Sequence, residues 1–153
     1  MPPENIIYRL MPKDFIQLLY LSNAKPELKQ EELDSILRVS RKNNPSRDIT
    51  GLLVFANGVF IQVLEGPSSE VHKLFETICD DTRHQEVAIL GEYSGQERIF
   101  TKWSMGFLQS TLDELTRITG SASMIGREDI LSLLANDEAE AVRFLKKFTK
   151  YVG

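Results

Sequence analysis

Residues 49–65 read ITGLLVFANGVFIQVLE and form the segment of the chain that is most informative about its fold. It holds two apolar runs, Ile49–Ala56 and Val59–Glu65, separated by Asn57-Gly58. An Asn-Gly pair between apolar runs is the strongest short-range signal for a β-hairpin, because both residues tolerate the positive φ angles of a tight turn. The runs are continuous rather than alternating, which indicates strands that are covered on both faces.

Segments on both sides of the hairpin show helical periodicity. In roughly Gln30–Asn44, apolar residues recur at the 3.6-residue spacing of a helix, and Pro45 ends the element. A second helix is predicted from about Ser68 to Asp81. The inward-facing residues of the two helices are Leu33, Ile36, Leu37, Val71, Leu74, Phe75 and Ile78. Each helix is therefore expected to pack one apolar face on the strands.

Three more apolar segments, Phe15–Ser22, Val87–Tyr93 and Lys102–Gln109, are predicted strands. We expect the last two to form a hairpin around Ser94-Gly95. The resulting order, β-α-β-β-α-β-β, predicts an α+β fold. It is a ferredoxin-like β-α-β-β-α-β sandwich with an extra fifth strand and C-terminal helices.

The chain divides into three parts by pattern. Residues 1–14 contain prolines and lack periodicity, which predicts an N-terminal extension. Residues 15–110 form the sandwich domain, and residues 111–153 are expected to be a helical C-terminal segment. The helices of that segment are predicted near Leu112–Ile118, Glu128–Leu134 and Glu138–Tyr151.

Composition argues against several classes of function. The 153 residues carry a formal net charge of −4 without a block of Lys and Arg, so we expect neither nucleic acid nor a membrane surface as partner. The amino terminus lacks a signal-peptide pattern, and no segment is long and apolar enough to span a bilayer. The single cysteine, Cys79, fits a reducing compartment, so a cytoplasmic location is predicted.

The sequence also lacks the motifs of common enzymes and metal sites. Its two histidines, His72 and His84, have no partner at the spacing of a metal site. Nucleophile elbows, Walker loops and GxGxxG fingerprints are missing. Neither enzyme activity nor a bound metal is therefore predicted.

Polar residues occupy positions of the first helix where the pattern predicts apolar ones. Ser40 and Asn44 fall on the same side as Leu33, because seven and eleven residues return to within about 20° of it. A buried asparagine without partners would cost about 1–3 kcal/mol, so Asn44 is expected to have one. Backbone groups just before Pro45 are one candidate.

A glutamine interrupts the apolar third strand. Gln62 has apolar neighbours on both strand faces, and a primary amide can donate and accept hydrogen bonds at once. It is suited to bridge two groups of opposite character, although a buried serine or a water could also satisfy it. Tyr20, Trp103 and Met105 lie on predicted core faces, where packing explains each of them taken singly.

Taken together, these positions resemble the BLUF (blue light using flavin) family over roughly residues 15–110. Tyr20, Asn44, Gln62 and the run Trp103-Ser104-Met105 stand in the order and sequence context of that family. The matching blocks are Tyr20–Ser22, Ser40–Pro45, Ile49–Leu53, Gly58–Gly66, Asp81–His84 and Trp103–Phe107. Several matched blocks at compatible spacing are far more specific than one short motif.

The resemblance implies a blue-light photoreceptor, not an enzyme, that binds FAD non-covalently between its two helices. By position, Tyr20 would donate an electron and a proton to photoexcited flavin, and Gln62 would lie between the Tyr20 hydroxyl and the flavin N5/C4=O edge. The implied photoactive set is Tyr20, Gln62, Trp103 and Met105. The implied cofactor-binding set is Tyr20, Ile36, Ser40, Asn43, Asn44, Gln62, Leu64, Ile78, Asp81, Arg83 and His84.

The resemblance also implies how that set divides around the cofactor. Asn44, with support from Ser40, would bond the C4=O/N3 edge of the ring, and Ile36 and Ile78 would form apolar walls. Residues 81–84 would face the phosphate and ribose, although basic residues at a helix C-terminus also complement the helix dipole. Thr82 occupies a position where the family pattern has a charged residue.

The same resemblance implies a route for the signal. After electron and proton transfer, the Gln62 amide would be left rotated or tautomerised, and flavin absorption would shift to the red. Trp103 and Met105 could exchange places beside it, which would carry the change through the last strand to the C-terminal helices. The expected partner is a downstream signalling protein, and a homo-oligomer is expected.

Two other interpretations start from the same pattern. An acylphosphatase-type hydrolase of the same architecture would need an arginine-bearing anion loop after the first strand, but that loop is Asn23-Ala24-Lys25-Pro26. A BLUF-like module that has lost flavin would act only as an interaction domain. The colour of the purified protein separates this last case from a photoreceptor.

Overall fold

The computed structural model of the protein describes residues 14–94, 97–101, 104–111, 113, 114 and 117. The elements in chain order are β1 (Phe15–Ala24), α1 (Gln30–Asn43), a 3-10 turn (Pro45–Arg47), β2 (Thr50–Ala56), β3 (Val59–Pro67), α2 (Ser68–Cys79), β4 (His84–Ser94) and β5 (Gly106–Ser110). This order confirms the predicted α+β class and the β-α-β-β-α-β-β arrangement.

Parts of the predicted organisation lie outside the described residues. They are the N-terminal extension up to residue 13 and the tail helices near Glu128–Leu134 and Glu138–Tyr151. Of the helix predicted near Leu112–Ile118, residues 113, 114 and 117 are described, and all three are helical. The division at residue 110 stays a prediction.

The hairpin that decides the fold is present. β2 and β3 pair antiparallel from Thr50↔Glu65 to Ala56↔Val59. At the turn, Asn57 has a φ of 49° and Gly58 a φ of 78°, as a primed turn requires. This turn fixes the register of β3 and therefore the face on which Gln62 lies.

The five strands form one sheet in the order β4-β1-β3-β2-β5. β4 pairs antiparallel with β1 at one edge, and β5 pairs parallel with β2 at the other. The predicted hairpin around Ser94-Gly95 is therefore wrong. A short turn can join only adjacent antiparallel strands, whereas the connection here crosses from one edge of the sheet to the other.

Both helices pack on one face of the sheet. Buried residues of α1 and α2 join alternate residues of the strands in one apolar cluster: Ile16, Leu18, Tyr20, Leu33, Leu37, Ile49, Leu53, Phe60, Leu64, Val71 and Met105. The opposite face is buried as well, for example at Leu19, Val54 and Ile61. This explains why β1, β2 and β3 are continuous apolar runs.

Gly51 allows β3 and Met105 to approach β2 closely. A Cβ atom at this position would clash with the Val63 carbonyl oxygen and would lie 3.3 Å from the Met105 methyl carbon. The close approach places Met105, which precedes β5, over the centre of the sheet. Because backbone cannot move aside easily, any side chain here forces a shift of the strands.

We predict that Gly51→Ala lowers the free energy of unfolding by about 2–3 kcal/mol, the cost of overpacking a core. Gly58→Ala is the matched control, because its Cβ would meet nothing within 4 Å and only its positive φ is strained. That control should lose about 1 kcal/mol. Denaturant unfolding measures both, and equal losses would contradict the close packing at Gly51.

Candidate functional site

Gln62 joins Tyr20 and Met105 in one buried hydrogen-bond network. Tyr20 and Gln62 are paired in register across β1 and β3, so their side chains leave the sheet on the same face. The Tyr20 hydroxyl donates to Gln62 Oε1, and Gln62 Nε2 donates to Met105 Sδ at 3.4 Å. The amide therefore accepts at one end and donates at the other, which is the bridging arrangement that its residue type predicts.

The Tyr20 hydroxyl is removed from water. The residue is 3% exposed, and its ring packs against Phe75 at 5.4 Å between centroids. Burial raises the pKa of the Tyr20 phenol far above its usual value, and the nearby Cys79 and Asp81 raise it further. Tyr20 is consequently a neutral phenol throughout the physiological range, with its proton directed at Gln62.

A cavity that is partly open to solvent lies between α1, α2 and the sheet. Cofactor sites are typically concave and mostly apolar, with a few placed polar groups. Apart from Ser40, its lining is apolar on the helix side, and it carries polar groups on the sheet and near the end of α2. The lining residues are Tyr20, Ile36, Ser40, Leu53, Phe60, Gln62, Leu74, Ile78, Asp81, Arg83, His84 and Met105.

An ion pair stands at the end of the cavity that follows α2. Arg83 donates from Nε and Nη2 to both oxygens of Asp81, over 2.6–3.2 Å. These bonds hold the pKa of the Asp81 carboxyl below its usual range and raise the pKa of Arg83. The pair presents a fixed guanidinium to the cavity, and its remaining N–H groups suit an anion.

His84 is held between β1 and α2. Its Nε2 lies 2.6 Å from the Ile78 carbonyl oxygen, and its Nδ1 lies 2.7 Å from Ser22 Oγ. A carbonyl oxygen only accepts, so Nε2 carries a hydrogen, and in the neutral ring Nδ1 accepts from the Ser22 hydroxyl. These two bonds fix the ring orientation at the cavity wall.

Asn44 is buried, as its place on the helix stripe predicts, but its partner is not local backbone. The residue is 1% exposed, and its Nδ2 donates to the Ser104 carbonyl oxygen at 2.7 Å. Arg41 donates in the same way to the Met105 carbonyl oxygen at 3.0 Å. α1 therefore holds the chain that leads into β5.

Eight residues of the expected cofactor set line the cavity: Tyr20, Ile36, Ser40, Gln62, Ile78, Asp81, Arg83 and His84. Asn44, Asn43 and Leu64 are not among the lining residues. Asn43 is exposed because it is turned about 100° from Asn44 on the helix. Leu64 is fully buried in the core beneath the helices. Trp103 lies outside the described residues.

Three lining residues were not predicted: Leu53, Phe60 and Leu74. Leu53 is the register partner of Gln62 on β2, and Phe60 shares the strand face of Gln62 two residues earlier. Leu74 belongs to the apolar stripe of α2. Strand register and helix periodicity could therefore have identified them, once Gln62 was taken as the centre of the site.

The described part of the chain holds no group of three or more His, Cys, Asp or Glu residues that could bind a metal ion. No described helix is both long enough and apolar enough to cross a membrane.

Comparison with known proteins identifies relatives of this architecture. Residues 15–106 match the family profile described as sensors of blue-light using FAD, BLUF. The chain is 34% identical over 119 residues to the photoactivated adenylate cyclase subunit beta of Euglena gracilis. The aligned residues make up 77% of this chain but only 13% of that relative.

Solved structures give the same result over most of the chain. A structure described as the BlsA photo-activated state superposes with a TM-score of 0.71 at 30% identity, covering 87% of this chain and 93% of that one. The dark-state structure of BlrB, described as a BLUF protein, also gives 0.71, at 25% identity, covering 92% and 99%.

The raised pKa of Tyr20 makes a prediction about alkaline stability. Below pH 10 the phenol is protonated in both folded and unfolded chains, and above it only the unfolded chain ionises. Because the pKa of the folded phenol is raised, Tyr20 lowers the free energy of unfolding by about 1.4 kcal/mol for each pH unit above pH 10. Denaturant unfolding from pH 9 to 11 should show a shallower loss in Tyr20→Phe, whereas identical slopes would contradict the buried neutral phenol.

Proposed function

Since the chain belongs to the BLUF family, whose members sense blue light using FAD, we propose that Tyr20, Gln62 and Met105 form its light-driven switch. The observation that carries this proposal is the bridging amide: Gln62 accepts from Tyr20 and donates to Met105 at the wall of one cavity. An amide in that position has two orientations with opposite hydrogen-bonding character.

The residues present fit a flavin cofactor. Ile36 and Ile78 come from different helices and are suited to contact a flat aromatic ring, while Gln62 offers polar atoms toward the ring edge. Arg83 is proposed to hold the phosphate end, because Asp81 engages only Nε and Nη2 of the guanidinium. His84, whose two ring nitrogens are already bonded, is proposed to contact the phosphate and ribose end through its ring. Ser40 completes the polar lining on α1.

The proposed switch uses the protein groups as follows. Flavin, when bound, supplies the absorption of blue light and the acceptance and return of one electron. Tyr20 gives up that electron, and because its phenol is buried, its proton leaves with it toward Gln62 Oε1. When the electron and proton return, the Gln62 amide is left rotated or tautomerised. Rotation turns the carbonyl oxygen toward Met105 and removes the bond to its sulfur.

The change at Met105 is proposed to leave the site through β5. Met105 directly precedes this strand, and its backbone is held by Arg41 of α1.

The photoactivated cyclase relative is much longer than the stretch that this chain matches. The matched residues form a sensor domain, and we propose that this chain lacks catalysis of its own and signals to a partner protein, as a homo-oligomer. The exposed thiol of Cys79 supports a reducing, cytoplasmic setting.

We expect Tyr20→Phe to bind flavin and remain yellow but to lose the light-induced red shift, because phenylalanine has no hydroxyl proton to give. Difference absorption spectra before and after blue light measure this. Tyr93→Phe is the control, since it removes a phenol from β4 outside the cavity lining. A normal photocycle in Tyr20→Phe would refute the donor assignment.

Gln62→Leu tests the amide separately from the phenol. Leucine keeps the volume of the side chain but can neither donate nor accept, so the variant should bind flavin without forming the red-shifted state. The same spectra report the result, with exposed Gln85→Leu as the matched control. If Gln62→Leu shifts like the parent, the amide is not the switch. If the unsubstituted protein is colourless and does not bind added flavin, the photoreceptor assignment itself is wrong.

A further inference from the structure

A row of polar side chains crosses the sheet on the face opposite to the cavity. Gln17 of β1, Glu65 of β3 and Thr50 of β2 are register partners, so they stand side by side across three strands. Gln17 and Thr50 both donate to Glu65, at 3.0 and 2.9 Å. We call these three residues the polar row.

Glu65 is the centre of this row and is fully buried, with 0% exposure. Beyond its two neighbours, its oxygens accept from the backbone N–H groups of Ile99 and Phe100, at 2.8 and 2.5 Å. Among the described residues, four donors face the two carboxyl oxygens, each of which accepts from two of them. Burying a carboxyl group is unfavourable unless hydrogen bonds satisfy its oxygens. The burial of Glu65 therefore favours the conformation in which all four donors, including the Ile99 and Phe100 amides, contact it.

The chain segment bound there belongs to the connection between β4 and β5. Gln17 also donates to the Glu97 carbonyl oxygen at 3.1 Å. Arg98 donates to Thr50 Oγ1 at 2.8 Å and pairs with Asp48 at 3.3 Å. Residues 97–100 are therefore attached to the sheet by every member of the polar row. This connection carries the chain from one edge of the sheet to the other and ends at Met105.

We propose that Glu65 is a positioning residue for the switch: by holding residues 97–100, it sets where Met105 stands beside Gln62. The polar row and the switch lie on opposite faces of the same strands, three residues apart on both β1 and β3. The segment that joins them is fixed at one end by Glu65 and at the other by Asn44 and Arg41 of α1. In its effect on the photocycle, this proposal rests on the proposed function.

The test replaces Glu65 by glutamine, which keeps the shape but turns one accepting oxygen into an NH₂ group that faces two donors. In the dark, flavin-loaded protein, amide exchange at Ile99 and Phe100 should accelerate about tenfold or more, as expected for the loss of a charge-assisted hydrogen bond. The methyl resonance of Met105 should shift or broaden. Glu92→Gln removes the same charge from an exposed pair with His72 and should change neither signal.

A double-variant cycle separates positioning from a merely structural role. If Glu65 acts through Met105, Glu65→Gln changes the dark-recovery rate of the otherwise unsubstituted protein. The same substitution then causes no further change in this rate in protein that already carries Met105→Ala. Additive effects, or unchanged amide exchange at Ile99 and Phe100, would overturn the proposal. If Glu65→Gln does not fold, Thr50→Val removes one donor and should give the same changes at smaller amplitude. If the unsubstituted protein shows no photocycle, the proposed function is wrong. The amide exchange at Ile99 and Phe100 and the methyl resonance of Met105 would still show whether Glu65 positions Met105.

Discussion

The Gln62 amide forms hydrogen bonds in both directions, and the functional site is built around it. A buried primary amide must both donate and accept, and here the acceptor side is filled by the Tyr20 hydroxyl and the donor side by Met105 Sδ. A thioether is a weak acceptor, so the bond to Met105 is the easier of the two to exchange. The amide is therefore bonded at both ends, and a rotation of the amide would break the weaker of the two bonds.

The fold explains how three residues far apart in sequence meet at one point. The Asn57-Gly58 turn fixes the register of β3 against β2, and pairing with β1 brings Tyr20 opposite Gln62. The connection from β4 then crosses the sheet and delivers Met105 over Gly51. The helices leave a cavity above this point, because their apolar stripes end in Ser40 on α1 and in the charged connection after α2.

Much of this could be predicted from sequence, and the failures around the connection between β4 and β5 have a common cause. Periodicity located both helices and the central hairpin, and the chemistry of an amide inside an apolar strand indicated a bridging role for Gln62. The choice of partners was harder, because the hairpin around Ser94-Gly95 is replaced by a long crossover that local patterns do not encode. That crossover also gives Asn44 its partner, Ser104, and supplies the amides for Glu65. The partners of Asn44 and Glu65 depend on strand order and were therefore missed.

Side-chain amide NMR spectra of protein carrying nitrogen-labelled glutamine, recorded in the dark and under blue light, report directly on the Gln62 amide. If this amide is the switch, its NH₂ resonances move to a new position on illumination and return at the rate of the optical recovery. Gln17, on the far face of the sheet, should change less. Gln62 resonances that stay in place while the flavin absorption shifts would show that the amide is not the switch.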